Sequence, residues 1–490
     1  MSDAGTHTVS GRLSGLADWL GRNLFRPAAD RRARRRGLGW HGRGGQLIGG
    51  AAFLVVGAAI SLGRTSGPGA LNTTWIEDAG TFLQDALHKS VLTTLTTQLN
   101  GYYDVVPRAI TAVAVLFPLQ WVPGIMSACA ALEYAMFGLI AYAASEPHLR
   151  SRWLRLLVAV PACVVPLGYT QANNDLATVQ FIALYGTFWL MLWRPAAPAA
   201  KVGAPVIMLG ITLSSILPIV FAPLAVARLV ADRSRQAIAL VSCWGAGLLV
   251  QWTVQLRGMS NRPTGWYTSP TWILENYVMR VVPRSFFGEL ALGGPGTDGA
   301  GRPAPLRVPD AAVHNALIVG AWAVLAVVVA IALFKVTDPH WPLALTAMAF
   351  SVIVFLGEIV DNLSVVQPRY VIAPALLLYT AVAAMLRPRG VLRESSRVLP
   401  ESNGVLPGRR GGVPRYRGAA AWASVAVFAA LLTVVCGFNY RVTNNRSLSP
   451  PWTSVVAAAR QSCQHPDVTG YTYRYAWWQV DIPCSKVRST

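Results

Sequence analysis

Long apolar runs that alternate with short basic clusters are the main pattern of this sequence. The first run covers residues 44–63 and follows a basic segment, 1–43, that ends in RRARRRGLGWHGR. Because that segment is too long for the start of a cleaved signal peptide, we predict an uncleaved anchor with the N-terminus in the cytoplasm. The polar stretch 64–104 should then lie outside the membrane.

Residues 105–144 are apolar enough to form either one membrane span or two. Two spans would place the arginines of the following EPHLRSRWLR outside the membrane, whereas one span places them inside. Since basic residues concentrate in cytoplasmic loops, we favour one span. The sequence then predicts a surface helix over 102–118, which contains Arg108 and is broken by Pro118, and a span over 121–144.

The remaining apolar runs are predicted to cross the membrane alternately. Together they predict an all-α polytopic protein with about eleven transmembrane helices. Two short helices should occupy 203–230, with a turn at SSILP; because each is shorter than the ~20 residues needed to cross fully, they could instead form a hairpin that reaches partway. PTWILENYVMRVVPRSFFGEL should form a surface helix. No internal repeat is evident, which disfavours the repeat-built transporter folds. The predicted spans are 44–63, 121–144, 154–169, 179–193, the two helices of 203–230, 237–256, 313–334, 341–356, 370–386 and 418–438.

The loops between these runs are assigned by the same alternation. Outer loops are expected at 64–104, 169–178, 257–312 and 357–369, and a basic cytoplasmic loop at 387–417. A small tail, 439–490, should lie outside. The protein is therefore expected to be a multi-pass component of the plasma membrane with its C-terminus on the extracytoplasmic side.

Composition supports the membrane assignment and argues against nucleic acid as a partner. Hydrophobic residues make up 53% of the chain and charged residues 13%, and the mean hydropathy is +0.42. Soluble domains carry about 25% charged residues. The net charge of +20 could indicate nucleic-acid binding, but the arginines lie in loops between apolar runs. The positive-inside rule explains that distribution better.

The six cysteines predict at most one disulfide and no metal site. Cys463 and Cys484 lie in the polar tail, where a bridge would be worth about 3 kcal/mol if the tail is extracytoplasmic. The other cysteines lie in apolar segments, in which they act as small hydrophobic residues. No spacing typical of a metal-ligand set is visible.

The predicted outer loops bring acids, amides and arginines to one face of the membrane. A carboxylate there can act as a general base toward a hydroxyl, and arginines can hold a phosphate. Each residue also has an ordinary interpretation as a solvated loop residue, a turn or cap residue, or an interfacial anchor. The polar candidates are Glu77, Asp78, Asp85, Asp104, Arg108, Asn173, Asn174, Asp175, Arg280, Arg284, Glu358, Asp361, Asn362 and Arg369.

Two further groups of residues could have a role. An acid inside a membrane span, such as Glu133, is a functional candidate by default, although pairing with a neighbouring helix explains it equally well. Aromatic side chains in the outer loops could stack on sugars or mark the membrane interface. These aromatic candidates are Trp75, Tyr102, Tyr103, Trp266 and Tyr267.

The order of these features resembles the GT-C superfamily of integral membrane glycosyltransferases. An acid follows the first span, then come a surface helix, a basic inner turn and an acidic second outer loop. More narrowly, WIEDAGTFLQDAL, NGYYDVVPRAITAVA, SEPHLRSRWLR and QPRYVIAPALLL resemble an actinobacterial family of multi-pass proteins. The resemblance covers residues 44–386. It implies a GT-C-like fold, a polyprenyl-phosphate sugar donor, and a glycan, lipid or protein acceptor in the cell envelope.

The resemblance also implies roles for individual residues. Asp78, with Glu77 beside it, would be the catalytic base that deprotonates the acceptor hydroxyl. Asp175 and Asn174 would bind the acceptor or a metal ion, Mg²⁺ or Mn²⁺. Because this loop reads NND rather than Asp-x-Asp, metal dependence stays open. The donor phosphate would be held by Arg369, Tyr370 and Arg108.

The sequence therefore leaves three functions open. The first is an inverting membrane glycosyltransferase, the second a transporter or flippase of a lipid-linked substrate, and the third a non-catalytic membrane scaffold. Acids buried deep in several spans would favour the transporter, but Glu133 alone fits clearly. The enzyme interpretation requires Asp78, Asp175 and Arg369 to line one outward-facing cavity.

Overall fold

A computed structural model shows that helices make up most of the chain. It describes residues 15–25, 43–99, 101–168, 174–256, 269–293, 296–297, 303–304, 310–361, 367–389, 415–441, 446–476 and 478–488. Predictions on Asn173, Asn362, Trp266 and Tyr267, on most of 1–43 and on much of the loops 257–312 and 387–417 lie outside these residues. The same holds for the side chain of Asp361.

The long helices form the body of the protein. Within the described ranges, six helices are long and apolar enough to cross a membrane: Leu119–Ala144, Arg235–Leu256, Ala311–Leu333, Trp341–Val360, Pro368–Met385 and Gly418–Phe438. The chain is thus a largely helical protein of membrane type. The labelled helices are α1 (Arg43–Leu62), α2 (Val105–Ala114), α3 (Val122–Ala144), α4 (Val179–Leu192), α5 (Pro198–Ser214), α6 (Arg235–Leu256), α7 (Ala311–Leu333), α8 (Trp341–Asp361), α9 (Ile372–Met385) and α10 (Arg415–Phe438).

Shorter elements connect these helices. One predicted span, 154–169, is not continuous: its helix ends at Ala159, and a separate turn covers Pro161–Val164, because proline offers no backbone N–H to the preceding turn. The short α-helices are 15–23, Gln84–His88, Val91–Thr96, Glu146–Leu149, Arg152–Ala159, Pro161–Val164, Ala222–Ala231, Pro270–Asn276, Val282–Ala291, Trp452–Ser462 and Cys484–Arg488. The 3₁₀ turns are Ala70–Asn72, Leu119–Trp121, Leu176–Thr178, Leu217–Phe221 and Pro368–Val371, and the π-helical segments are Asp78–Leu83 and Tyr277–Val281.

The segment 105–144 crosses the helical bundle once. Helix α2 ends at Ala114, and the chain turns at Pro118 before α3 begins. At the start of α3, the indole of Trp452 donates to the carbonyl of Leu119 across 2.9 Å. Just beyond its far end, the ring of His148 packs edge-on against His340, with 5.2 Å between centroids. A break at Pro118 and a single crossing are what the charge pattern predicts.

The connections gather into two sets, one at each end of the bundle. The turns 145–151, 337–340 and 386–389 meet through Arg387, which donates to the carbonyl of His148 and pairs with Asp338. We call this the turn end. The described parts of the loops 63–104 and 165–178 and of the C-terminal tail, 446–488, meet at the other end, which we call the site end. The sequence assigns the first set to the cytoplasm and the second to the outside.

The C-terminal tail is a small disulfide-closed unit that packs on the first loop. Cys463 and Cys484, the pair that the sequence offers, are joined by a disulfide. Strands β3 (Gly470–Tyr475) and β4 (Trp478–Pro483) form an antiparallel hairpin, and a two-residue ladder pairs β1 (Gly296–Thr297) with β2 (Pro303–Ala304). The hairpin lies against the Asp78–Leu83 segment so closely that a Cβ at Gly80 would lie 3.2 Å from the carbonyl oxygen of Gln479.

Candidate functional site

Asp78 holds the start of helix α4. Its side chain is 3% exposed, and its Oδ2 and Oδ1 accept hydrogen bonds from the backbone N–H groups of Leu176 and Ala177 at 3.0 and 3.2 Å. These amides belong to the 3₁₀ turn that leads into α4, where N–H groups lack partners within the helix and the dipole favours a negative charge. Both oxygens of Asp78 therefore cap the 3₁₀ turn through which the second loop enters α4.

Asp175 lies beside Asp78 and is buried with it. Burial, and then the charge of Asp78, raise the pKa of Asp175 well above its ordinary value, while the charge of Arg446 opposes that rise. Burial and the neighbouring carboxylate of Asp78 therefore both disfavour the ionised form of Asp175. The positive charge of Arg446 compensates this acidic pair, which helps a buried site to tolerate it.

Asn174 has a structural position next to this pair. Its backbone is in the left-handed region, with φ of 56°, which asparagine tolerates better than most residues. Its amide nitrogen donates to the carbonyl of Ser61 at 2.9 Å and to the hydroxyl of Thr65 at 3.1 Å, and its amide oxygen accepts from the Ser61 hydroxyl. Asn174 therefore fastens the second loop to the end of α1.

The residues expected to hold a metal ion do not suit one. Both oxygens of Asp78 already accept backbone hydrogen bonds, and burial disfavours the ionised form of Asp175. Divalent cations such as Mg²⁺ and Mn²⁺ need ionised carboxylate or carbonyl oxygens directed at the ion. Within the described residues no group of three or more His, Cys, Asp or Glu side chains is placed to bind a metal.

A small polar pocket of about 30 Å³ lies at the site end and contains the other acid of the first loop. Glu77 and Arg369 both line it, whereas Asp78 and Asp175 are not among its lining residues. The expectation that Asp78, Asp175 and Arg369 share one cavity is therefore not met. The carboxylate of Asp78 instead accepts hydrogen bonds from the backbone of the 3₁₀ turn before α4. The pocket is lined by Glu77, Leu99, Tyr102, Asp104, Ala177, Thr178, Gln180, Phe181, Leu217 and Arg369.

The electrostatics of this pocket suit a base beside an anion site. Burial raises the pKa of Glu77, the charge of Arg369 lowers it, and the neighbouring Asp78 adds to the rise. The guanidinium of Arg369 lies 5.5 Å from the ring centre of Phe181 and 5.4 Å from that of Tyr370. Contact with these two aromatic rings limits where the guanidinium can move, which favours a fixed anion-binding position.

A larger, mostly apolar cavity of about 270 Å³ adjoins the polar pocket. Asp104 and Gln180 line both spaces and so form the boundary that the two spaces share. Glu133, the acid that the sequence places within a span, also lines the larger cavity. The lining comes from α2, α3, α4 and α5 and consists of Asp104, Val106, Pro107, Glu133, Met136, Phe137, Leu176, Val179, Gln180, Ala183, Val206, Ile207, Gly210, Ile211 and Ser214.

Several residues singled out from sequence lie away from both spaces. Arg108 is fully buried, pairs with Asp85 at 2.6 Å, and lies 5.2 Å from the ring centre of Phe82. It braces the first loop and does not line the pocket, so its expected contact with a donor phosphate is not supported. Arg280, Arg284 and Glu358 line neither space. Tyr370 is buried behind Arg369.

Gln180 and Arg446 are the site residues that sequence reasoning missed. A glutamine in the first turn of an apolar helix, five positions after Asp175, is a signal that could have identified Gln180. Arg446 follows the last span and carries no motif. Its guanidinium donates to Asn174 in the second loop and to Thr73 in the first, and it is 3% exposed.

No protein-family model matches this chain, and no curated protein matches it significantly. Function therefore has to be inferred from the residues that line the two spaces and from the groups that hold them in place. The geometry supplies a carboxylate with a raised pKa, a stacked arginine, and an apolar cavity next to both.

Proposed function

We propose that this protein is a membrane glycosyltransferase that moves a sugar from a polyprenyl-phosphate donor to a hydroxyl of a cell-envelope acceptor. The observation that carries the proposal is the junction at Asp104 and Gln180, where a polar pocket containing Glu77 and Arg369 meets an apolar cavity. A ligand that fills both spaces has an apolar chain joined to an anionic, polar head. A lipid-linked sugar phosphate has that composition.

The donor would bind with its lipid chain in the apolar cavity and its phosphate at Arg369. Burial of the first part of the chain supplies binding energy through the hydrophobic effect. A guanidinium matches the geometry of phosphate oxygens and compensates the charge that develops as the phosphate leaves. The protein would then need to add only a base and an acceptor in the correct orientation.

Glu77 is the proposed general base, in place of Asp78. Its carboxylate takes the proton of the acceptor hydroxyl while the hydroxyl oxygen attacks the anomeric carbon. The bond from that carbon to the phosphate oxygen breaks, and polyprenyl phosphate leaves. A single displacement of this kind inverts the anomeric configuration. A raised pKa makes Glu77 a stronger base than an ordinary glutamate at the same distance.

The proposal includes the membrane topology and the fold family. Placing the site end outside the cell puts the arginine-rich turns at 145–155 in the cytoplasm, as the positive-inside rule favours. Chemistry on that side requires a donor that arrives on a lipid. A GT-C-like arrangement of about eleven spans, in which some shorter helices also cross, accommodates this placement.

Transfer in reconstituted membranes tests the proposal. The purified protein in nanodiscs would be given farnesyl and decaprenyl phosphates that carry radiolabelled hexoses or pentoses, together with envelope glycan and lipid acceptors. We expect equal yields of glycosylated acceptor and free polyprenyl phosphate, lost in Glu77→Gln and kept in Glu275→Gln, a matched change at an exposed glutamate. If no donor and acceptor pair yields product while the donors bind, the protein is not this enzyme.

A transporter or flippase of a lipid-linked substrate is the second candidate. The observation that favours it is Glu133, an acid within a candidate span that lines the apolar cavity. An ionisable group in such a place can couple transport to protons. Movement of fluorescent polyprenyl-phosphate sugars between leaflets, without sugar transfer and abolished by Glu133→Gln, would favour this function over the enzyme.

A further inference from the structure

Gln180 lies at the junction between the polar pocket and the apolar cavity, since it lines both spaces. Its Nε2 donates to the hydroxyl of Tyr102 at 2.9 Å and to the carbonyl of Ala177 at 3.2 Å. A backbone carbonyl can only accept a hydrogen bond, so the amide atom that faces Ala177 has to be the nitrogen. The orientation of the Gln180 amide is therefore fixed by its partners, and the position of its oxygen follows.

The oxygen of this amide lacks a donor. Oε1 is buried, and in the ranges that the structure describes no group donates a hydrogen bond to it. A buried acceptor without a partner costs free energy, and native proteins keep few of them. Because Gln180 lines both spaces, a ligand that occupies the junction is the natural source of the missing donor.

The charges around the junction restrict the chemistry of that ligand group. Glu77 and Asp104 also line the polar pocket, and Arg369 supplies its positive charge. A phosphate diester offers only acceptors, so it suits Arg369 and would be repelled by the oxygen of Gln180. A sugar hydroxyl can donate. In a lipid-linked sugar phosphate, the group next to the phosphate is the sugar itself.

We propose that Gln180 is a specificity-determining residue that accepts a hydrogen bond, through Oε1, from one hydroxyl of the sugar on the lipid-linked donor. This inference rests on the proposed function for the identity of the ligand. The residue selects sugars because a sugar that lacks this hydroxyl leaves the buried oxygen unpaired in the complex, whereas the complete sugar supplies its missing donor.

A cycle between protein variants and deoxy sugars tests the inference. Farnesyl phosphates that carry glucose, mannose, galactose or arabinose would first be ranked by binding and by transfer. Monodeoxy analogues of the best sugar would then be compared on wild type and Gln180→Met, which keeps the length of the side chain without its amide. On wild type, we expect one deoxy analogue to have a kcat/KM about 10- to 100-fold lower than that of the complete sugar. On Gln180→Met, the two sugars should have about the same kcat/KM.

A second variant keeps the test decisive if Gln180→Met does not fold. Tyr102→Phe leaves Gln180 in place and removes the hydroxyl that holds its Nε2. That variant should keep the binding of farnesyl phosphate without a sugar but lose part of the discrimination against the same deoxy analogue. Farnesyl phosphate carries no sugar hydroxyl, so a change in its affinity would indicate damage to the cavity and not a loss of sugar recognition.

The outcomes separate this inference from the proposed function. If wild type transfers sugar and neither variant changes its discrimination between complete and deoxy sugars, the role of Gln180 is wrong and the enzyme stands. If donors bind and none is transferred, the enzyme is wrong, and the same cycle measured as binding affinity decides the role of Gln180. If no farnesyl phosphate sugar binds more tightly than farnesyl phosphate itself, sugar recognition by Gln180 is overturned.

Discussion

The guanidinium of Arg446 donates a hydrogen bond to the backbone oxygen of Asn174 across 2.6 Å, and so joins the C-terminal tail to the second loop. The same side chain donates to the carbonyl of Ala70, to Thr73 and to the hydroxyl of Ser127. One buried arginine therefore connects the tail, both loops of the site end and helix α3. The loop that carries Glu77 depends on this connection for its position.

Removal of Arg446 should destabilise the site end. Arg446→Gln leaves the charge of Asp78 without compensation and several buried acceptors without a donor, so we expect a loss of about 3 kcal/mol in the free energy of unfolding. Arg446→Lys keeps the charge and should recover part of this loss. Arg460→Gln is the matched control, since Arg460 is an exposed arginine of the same tail and donates to Gln120. Equal stability of Arg446→Gln and the control would contradict this role.

Replacement of Asp175 by a residue that cannot ionise should change the free energy of unfolding little. Because burial and the charge of Asp78 disfavour the ionised form of Asp175, a neutral amide of the same shape should be tolerated, and we expect the stability of Asp175→Asn at neutral pH to lie within about 1 kcal/mol of wild type. The folded state of wild type keeps a proton that the unfolded state releases, so its stability should fall as pH rises from about 4 toward the raised pKa. Asp175→Asn should lack that decline. Denaturation of both proteins across this range measures the difference, and parallel curves would show that Asp175 is ionised.

Arg369 should set the pH at which the proposed base works. Its positive charge lowers the pKa of Glu77, so its neutralisation in Arg369→Met should raise that pKa further. The base acts in its ionised form, so the acidic limb of the pH–rate profile should move to higher pH. Arg369→Lys, which keeps the charge, should leave the limb close to that of wild type. An acidic limb that stays in place in Arg369→Met would mean that another group is titrating.

The largely helical, membrane-type character of the chain could be predicted from sequence because it follows from long apolar runs. The single crossing of 105–144 depended on Pro118 and on the arginines after the span, and both are local signals. The prediction of one continuous helix over 154–169 was wrong, because the chain breaks at Pro161. That proline is also a local signal, but the prediction gave more weight to the apolar composition of the segment.

The candidate site was only partly predictable because its geometry depends on contacts between distant segments. Glu77 and Asp78 are neighbours in helical backbone, so their side chains point about 100° apart and only one of them faces the pocket. Which one does so is decided by the backbone amides of Leu176 and Ala177, far along the chain. The position of Arg446 depends on folding of the whole tail, which no short motif announces.

The central claim is that Glu77 is the base and that Asp78 is a structural cap. A single-turnover measurement of sugar transfer, made beside thermal unfolding, compares Glu77→Gln with Asp78→Asn most directly. Glu77→Gln should bind donor and unfold like wild type but transfer sugar about 1,000-fold more slowly, since it lacks the base. Asp78→Asn should unfold at a lower temperature, because an asparagine has one acceptor oxygen for the two amides of the 3₁₀ turn that leads into α4. Wild-type transfer by Glu77→Gln, together with a fully stable but inactive Asp78→Asn, would contradict the account.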